Sequence, residues 1–214
     1  METIIYLIRH SNSLGKNDIK FNTDDSEQII NEKLPLSTIG EEKAKELSTW
    51  NEFNKIDYVF ASNYVRAIST GKYIALKNNI PIVVDKRLNE RKIGDAKNVR
   101  KEFWLTQLND KEAKLPNGES RSETCERMLS FINEVIKQYK GKKIVVVSHA
   151  IAITALLMNY CELVSASLEG KKRHLVFNGR NVINDSFNTP EVFKIVFKDD
   201  IIIDISIVRK GGYE

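Results

Sequence analysis

Residues 144–149 read Ile144-Val145-Val146-Val147-Ser148-His149. The first four are consecutive, apolar and β-branched, which suits a strand covered on both faces and so a central one. The segment before it is helical. Cys125, Met128, Leu129, Ile132, Val135, Ile136 and Tyr139 keep a 3.6-residue period across residues 120–139. Ser120 with Glu123 makes a capping box at the start of that helix, and Gly141 follows its end. Another helix is expected from about Ile151 to Tyr160. A strand between two helices is the building unit of an α/β fold.

The same alternation extends outward. Ile4-Ile5-Tyr6-Leu7-Ile8 reads as a buried strand, and residues 38–53 as a helix with Ala44, Leu47, Trp50 and Phe53 toward the core. Ile56 to Ala61 is a second strand, residues 64–78 a helix stopped by Asn78-Asn79 and Pro81, and Ile82-Val83-Val84 a third strand. Residues 192–197 and 201–208 are β-branched runs separated by Lys198-Asp199-Asp200, a hairpin pattern. The expectation is a three-layer α/β/α sandwich around a mostly parallel mixed sheet, as one domain over residues 1–214. The polar, irregular stretch 86–119 is expected to cover something rather than to link domains. Residues 165–190 are weakly patterned.

Hydrophobic residues make up 42% of the 214 and charged ones 29%, a globular balance that excludes disorder for most of the chain. The net charge of +4 is spread without a long basic run. It fits a solvated surface, or a few positive charges converging on an anionic ligand. No basic stripe interleaved with aromatics appears, so nucleic acid is not an expected partner. Cys125 and Cys161 make neither a disulfide framework nor a zinc spacing, and Cys125 falls on the apolar helix face as a buried thiol. The apolar run Thr3–Ile8 is too short for a signal peptide, and no stretch reaches the ~18 residues of a membrane span. A cytoplasmic protein, monomer or homodimer, is expected.

Ligands in open α/β sheets bind beyond the carboxyl ends of strands. Two strands here end in histidine, at Arg9-His10 and Ser148-His149, in a chain with three histidines. Either one alone suits a structural, hydrogen-bonded histidine. The strand ending at Ala61 is followed by Ser62-Asn63-Tyr64-Val65-Arg66, which puts Arg66 on the first turn of a helix. Arg9 and Arg66 can then both reach the mouth of the site. Guanidinium forks match phosphate oxygens, and the helix N-terminus adds a favourable dipole. Two histidines with two arginines make an anion site.

These residues resemble the histidine phosphatase superfamily, the phosphoglycerate mutase-like proteins. Leu7-Ile8-Arg9-His10 is similar to its Arg-His-Gly motif, and Ser62-Asn63-Tyr64-Val65-Arg66-Ala67-Ile68-Ser69-Thr70 to its Ser-x-x-x-Arg-Ala-x-x-Thr segment. Leu36-Ser37-Thr38-Ile39-Gly40, Arg87-Leu88-Asn89-Glu90-Arg91, Pro116-Asn117-Gly118-Glu119-Ser120 and Ser148-His149 match further motifs, in family order from residue 3 to about 160. The resemblance implies that His10 attacks phosphorus and becomes phosphohistidine, while Arg9, Arg66 and His149 hold the phosphoryl oxygens. It implies that Glu90 donates a proton to the leaving oxygen, for which the carboxyl must be protonated in the first step. With no motif, Glu90 would be a surface carboxylate paired with Arg87 or Arg91. Glu119 competes for the acid role, because some relatives place the acid elsewhere. The arginines supply the positive charge, so neither metal nor cofactor is expected.

After the nucleophile the family usually has Gly, then Glu or Gln, then Thr. This chain has Ser11, Asn12 and Ser13. Lys16 aligns with the family's phosphate-binding asparagine and can bind phosphate as a point charge, beside Asn12. Mutases of the family carry a long insertion between the acid segment and the late helix. Here only residues 91–118 separate Glu90 from Glu119, without the paired arginines that grip a mutase's carboxylate substrate. Hydrolysis of a small phosphorylated metabolite is the expected activity. Phosphoglycerate mutase is the alternative, since Arg-Leu-Asn-Glu-Arg is mutase-like, and a non-catalytic phospho-ligand module is a third. Lys97, Arg100, Lys101, Phe103 and Trp104 lie in the covering stretch, where they can meet substrate or simply pack. His174 lies outside these motifs.

Overall fold

In the computed structural model, which describes residues 1–95 and 102–213, the β-branched run forms β4 (Lys143–Ser148). It pairs in parallel with β1 (Glu2–Arg9), with Ile5 opposite Ile144 and Arg9 opposite Ser148. On its other side lies β2 (Tyr58–Ala61), also parallel, followed by β3 (Ile82–Val84) at the edge. β1 pairs antiparallel with β8 (Glu191–Lys198), then β9 (Ile201–Arg209) and the short β10 (Gly212–Tyr213). The sheet order is β10-β9-β8-β1-β4-β2-β3, so the expected central strand is central.

Alternation along β1 and β4 feeds two cores. Ile5, Leu7, Ile144 and Val146 pack against α5 (Arg121–Gln138) and α6 (Ala150–Leu157). Tyr6, Ile8, Val145 and Val147 face α2 (Thr38–Ser48) and α3 (Val65–Asn78) through Leu47, Ala67 and Ile74. Helices on both faces of a mixed sheet make the expected three layers. The capping box at Ser120 and Glu123 forms, and Gly141 takes a left-handed φ of 75° after α5.

Two expectations need correction, and two stretches that the sequence left without assigned elements gain them. The helix expected over 38–53 ends at Ser48, where the hydroxyls of Ser48 and Thr49 bond back to the carbonyls of Lys45 and Glu46. A short 3-10 turn, Asn51–Phe53, then buries Phe53 edge-on to Tyr6. Cys125 is only half-buried, while Cys161 is buried, and both are free thiols. The weakly patterned stretch holds a separate antiparallel sheet of β5 (Glu162–Ala166), β6 (Arg173–Phe177) and β7 (Arg180–Asp185). Its Leu175, Phe177, Val182 and Ile183 join the α5–α6 core. Lastly, the stretch 86–119 contains α4 (Glu102–Asn109), with Leu108 inward. The remaining helix, α1 (Glu27–Lys33), precedes α2.

Gly40 gives the Leu-Ser-x-x-Gly motif a physical reason. Ser37 caps α2 through Gly40 N, and its own N–H donates to Asn12 O. A Cβ on Gly40 would lie 1.9 Å from that same oxygen. The helix start is thus pressed onto the backbone of the loop after His10. Gly40→Ala is expected to destabilise the protein by about 2 kcal/mol, a Tm loss of several degrees. An unchanged melting curve by calorimetry would mean that the loop yields freely.

Candidate active site

The parallel register of β1 and β4 brings the strand-end histidines side by side. His10 N donates to Ser148 O, and the His10 and His149 rings lie edge to face with centroids 5.0 Å apart. His10 Nδ1 is 2.7 Å from Ser11 O, a carbonyl that can only accept, so Nδ1 carries the proton. Nε2 is left with its lone pair, toward which Arg66 Nε donates at 3.0 Å. Burial pushes the His10 imidazole down to about 3, with the charges of Arg66 and Arg9 adding and the Ser11 carbonyl opposing. The ring is neutral at pH 7 and partly exposed.

His149 is fully buried. Burial, then His10, Arg66, Arg127 and Arg9, hold its pKa well below the ordinary value. Arg66 Nη2 donates to its Nδ1 at 3.4 Å, so its Nε2–H donates to Ser62 Oγ at 2.7 Å. Arg66 is also gripped by Asn31 O and lies over the Tyr64 ring. Thr70, one turn along α3, accepts from Ser11 N. Arg9 is held from the other side, where Nη1 donates to the carbonyls of Phe187 and Asn188. Burial lowers the pKa of both arginines.

Glu90 joins this group from the acid segment. Its carboxylate accepts from the N–H groups of Ile151 and Ala152, in the first turn of α6, and of Arg91. The salt bridges open to it on sequence grounds do not form. Arg87 pairs with Asp85 and Glu134, and Arg91 turns to Gln107. Glu119 is engaged elsewhere, by two hydrogen bonds from Arg127 and one from Lys92 N. Burial pushes its carboxyl up, but those bonds outweigh it and hold Glu119 below the ordinary carboxylate range. Arg127 also donates to the carbonyls of Arg87 and Asn89, pinning the loop that carries Glu90.

The two loop residues are engaged elsewhere. Asn12 Oδ1 accepts from Lys43 Nζ, and Lys16 Nζ faces Glu27 at 3.6 Å; no bond joins either to His10 among the described residues. Ser11 is buried, and its hydroxyl has no partner among the described residues. Phe103 and Trp104 lie on α4. Lys97, Arg100 and Lys101 lie outside the described residues. His174 Nε2 meets Asn181 on the outer sheet.

A cavity of about 330 Å3 opens beside Glu90, between α4, α6 and the start of β6. Arg91, Trp104, Leu108, Ile151, Ala155 and Arg173 are among the residues that line it. Arg173 was not anticipated. The available signal was alternation, since Arg173 shares its strand face with Leu175 and Phe177 and so points inward. Among the described residues, no cluster of His, Cys, Asp or Glu could hold a metal ion, and no helix is long and apolar enough to cross a membrane.

Paired strand-end histidines on this three-layer frame define a phosphoglycerate mutase-like α/β architecture. A sequence model of the histidine phosphatase superfamily (branch 1) matches residues 5–176, and the chain belongs to that superfamily. A probable phosphoglycerate mutase of Escherichia fergusonii is 28% identical over 162 residues, 72% of either chain. An uncharacterized phosphatase of Bacillus subtilis is 31% identical over 124 residues, 58% of this chain and 63% of its own. Among solved structures, a mycobacterial glucosyl-3-phosphoglycerate phosphatase superposes with a TM-score of 0.69 at 16% identity, over 97% of both chains. A putative alpha-ribazole-5'-P phosphatase from Escherichia coli gives 0.64 at 21% identity, over 97% of this chain and 96% of its own. These two structures share the fold.

The depressed histidines set an acid limit on stability. Below pH 6.5 the unfolded chain takes up protons on both rings, whereas folded His10 does so only near pH 3. Stability is therefore complete above pH 6.5 and falls as pH drops from there, by about 1.4 kcal/mol per pH unit for each ring. Melting temperatures between pH 6.5 and 5.5, above the range in which carboxylates such as Glu119 take up protons in the unfolded chain, isolate this effect. His149→Asn is expected to halve the slope. A slope unchanged by this substitution would mean that His149 titrates as in the unfolded chain.

Proposed function

We propose that the protein is a phosphomonoester hydrolase working through a phosphohistidine at His10. The observation that carries this is the Nδ1–H bond to Ser11 O, which fixes the tautomer and leaves a neutral Nε2 lone pair directed at the Arg66 guanidinium. In the first step Nε2 bonds to phosphorus and the bond from phosphorus to the leaving oxygen breaks. The leaving oxygen takes a proton from Glu90. In the second step water attacks the phosphohistidine, its proton passes to Glu90, and the P–N bond breaks to restore His10. Arg9 and Arg66 stabilise charge on the phosphoryl oxygens in both steps, and His149 positions Arg66 by accepting from its Nη2. Glu90 is favoured over Glu119 as the acid because Glu119 is tied to Arg127 and the Lys92 amide.

The short cover between Glu90 and Glu119 supports hydrolysis over mutase chemistry, since it gives water easier access to the phosphohistidine. The Bacillus relative bears a phosphatase name and the Escherichia relative a mutase name. The partner is a small phosphorylated metabolite. Two unpaired thiols support a reducing, cytoplasmic setting.

His10→Ala is expected to lower aryl phosphate turnover at least about a thousandfold and to abolish labelling of the acid-labile phosphohistidine. Retained turnover would sink the mechanism. Glu90→Gln should cost about a hundredfold on phenyl phosphate and far less on 2,4-dinitrophenyl phosphate, whose leaving group needs no proton. Equal losses on the two esters would remove Glu90 as the acid. With 3-phosphoglycerate and catalytic 2,3-bisphosphoglycerate, phosphate release should exceed mutase turnover; the reverse would establish the mutase. No release from any aryl phosphate across pH 5–8 would instead favour a non-catalytic phospho-ligand module.

A further inference from the structure

The cavity beside Glu90 holds two buried cations that the chemistry at His10 does not use. Arg91 is 3% exposed and Arg173 8%. Arg91 bonds a neutral partner, the Gln107 side-chain oxygen, while its Nε and Nη2 have none among the described residues. Arg173 lies over the Phe187 ring, and its Nε is equally without a partner. Neither arginine makes a salt bridge among the described residues. Asp185, opposite Arg173 in the strand pair, is exposed and turns to Lys172. Glu169, on the cavity wall, is exposed and forms no ion pair among the described residues. Residues 96–101 contain no acidic side chain.

Among the described residues, Glu90 is the one carboxylate whose field reaches all of Arg9, Arg66, Arg91 and Arg173. His10 feels only Arg66 and Arg9. Arg9 and Arg66 form one pair, at the nucleophile, and Arg91 and Arg173 a second, on the cavity wall; Arg173 also feels Arg9, so the two pairs are not isolated from one another. A phosphoryl group bonded to His10 answers the first pair and leaves the second unanswered. Burial draws Arg173 down to about 10, so it stays charged at neutral pH and calls for a counter-ion. The cavity wall also presents an apolar set, Ile93, Trp104, Leu108, Ile151 and Ala155, beside polar residues that include Arg121 and Lys171. Its volume is at the small end for ligand pockets, enough for a ring and more than a three-carbon acid fills.

The geometry points to a second anion subsite at Arg91 and Arg173, so that the substrate is a phosphomonoester whose leaving alcohol has an apolar, ring-sized body ending in a carboxylate or a second phosphate. This rests on the reading of His10 as the phosphoryl acceptor, which places the leaving oxygen at Glu90 and the rest of the alcohol in the cavity. No residue of the subsite performs chemistry; the two arginines select and orient.

Binding of non-hydrolysable probes, followed by calorimetry, tests this apart from turnover. 3-(Phosphonomethyl)benzoate should bind at least about tenfold tighter than benzylphosphonate, as charge-assisted bonds to guanidinium require. It should also bind tighter than phosphonoacetate, which carries the acid without the ring. Replacing the carboxylate by a second phosphonate decides which anion the subsite takes. Arg173→Met and Arg91→Met should each bring the ratio of acidic to neutral probe toward one. Equal affinities in the unaltered protein overturn the subsite, and that comparison needs no variant to fold. A ratio that persists in both variants also overturns it, and a preference for phosphonoacetate overturns the apolar body. Hydrolysis of the matching phosphate esters is measured in parallel. Preference without turnover would fault the hydrolase and leave the subsite standing, whereas turnover without preference would do the opposite.

Discussion

The parallel pairing of β1 with β4 is the constraint on which the site depends. Arg9 stands opposite Ser148, so the next residue on each strand is a histidine, and the two rings meet. A slip of one residue would turn every side chain of β1 to the other face. Ile5 and Leu7 would leave the α5–α6 core, and Tyr6 and Ile8 the α2–α3 core. Because both faces are buried, the register is enforced by packing far from the histidines.

That rigidity allows an unfavourable electrostatic arrangement to persist. Arg9, Arg66, Arg91 and Arg173 are drawn out of water around a single shared carboxylate, and a buried cation without a close counter-ion costs several kcal/mol. Burial, reinforced by the charges of Arg66 and Arg9, keeps both histidines neutral, which suits a nucleophile. Arg66 is the pivot, since one guanidinium touches His10, His149 and the carbonyl of Asn31. Hydrogen bonds to backbone carbonyls hold Arg9 and Arg66 in place without neutralising them, and the charge remains available to an anion.

Motif and geometry meet at residues whose roles were obscure as letters. Gly40 lies thirty residues from His10 in the chain, yet its missing side chain makes room for the Asn12 carbonyl in the loop after the nucleophile. Arg127 falls on the polar side of the period in α5 and braces the loop carrying Glu90. Glu90 and Glu119 could not be ranked by chemistry from sequence, because both are carboxylates in matching motifs. Their partners separate them: Glu119 meets a guanidinium, whereas Glu90 rests on backbone amides at the start of α6 beside the cavity.

Local pattern determined what depends on neighbours in the chain. The apolar periods placed β1, β4, α3 and α5, cap chemistry placed the ends of α5, and the strand-end histidines marked the site. Helix 38–53 overran because backbone competition from Ser48 and Thr49 is weak in a hydropathy pattern. The β5–β7 sheet and α4 were missed because short, half-exposed elements carry little periodicity and owe their form to the α5–α6 core beneath them. The second pair of arginines needed the tertiary structure altogether. Arg91 and Arg173 lie far apart in sequence, and whether a guanidinium is solvated or buried without a counter-ion is decided by what packs around it.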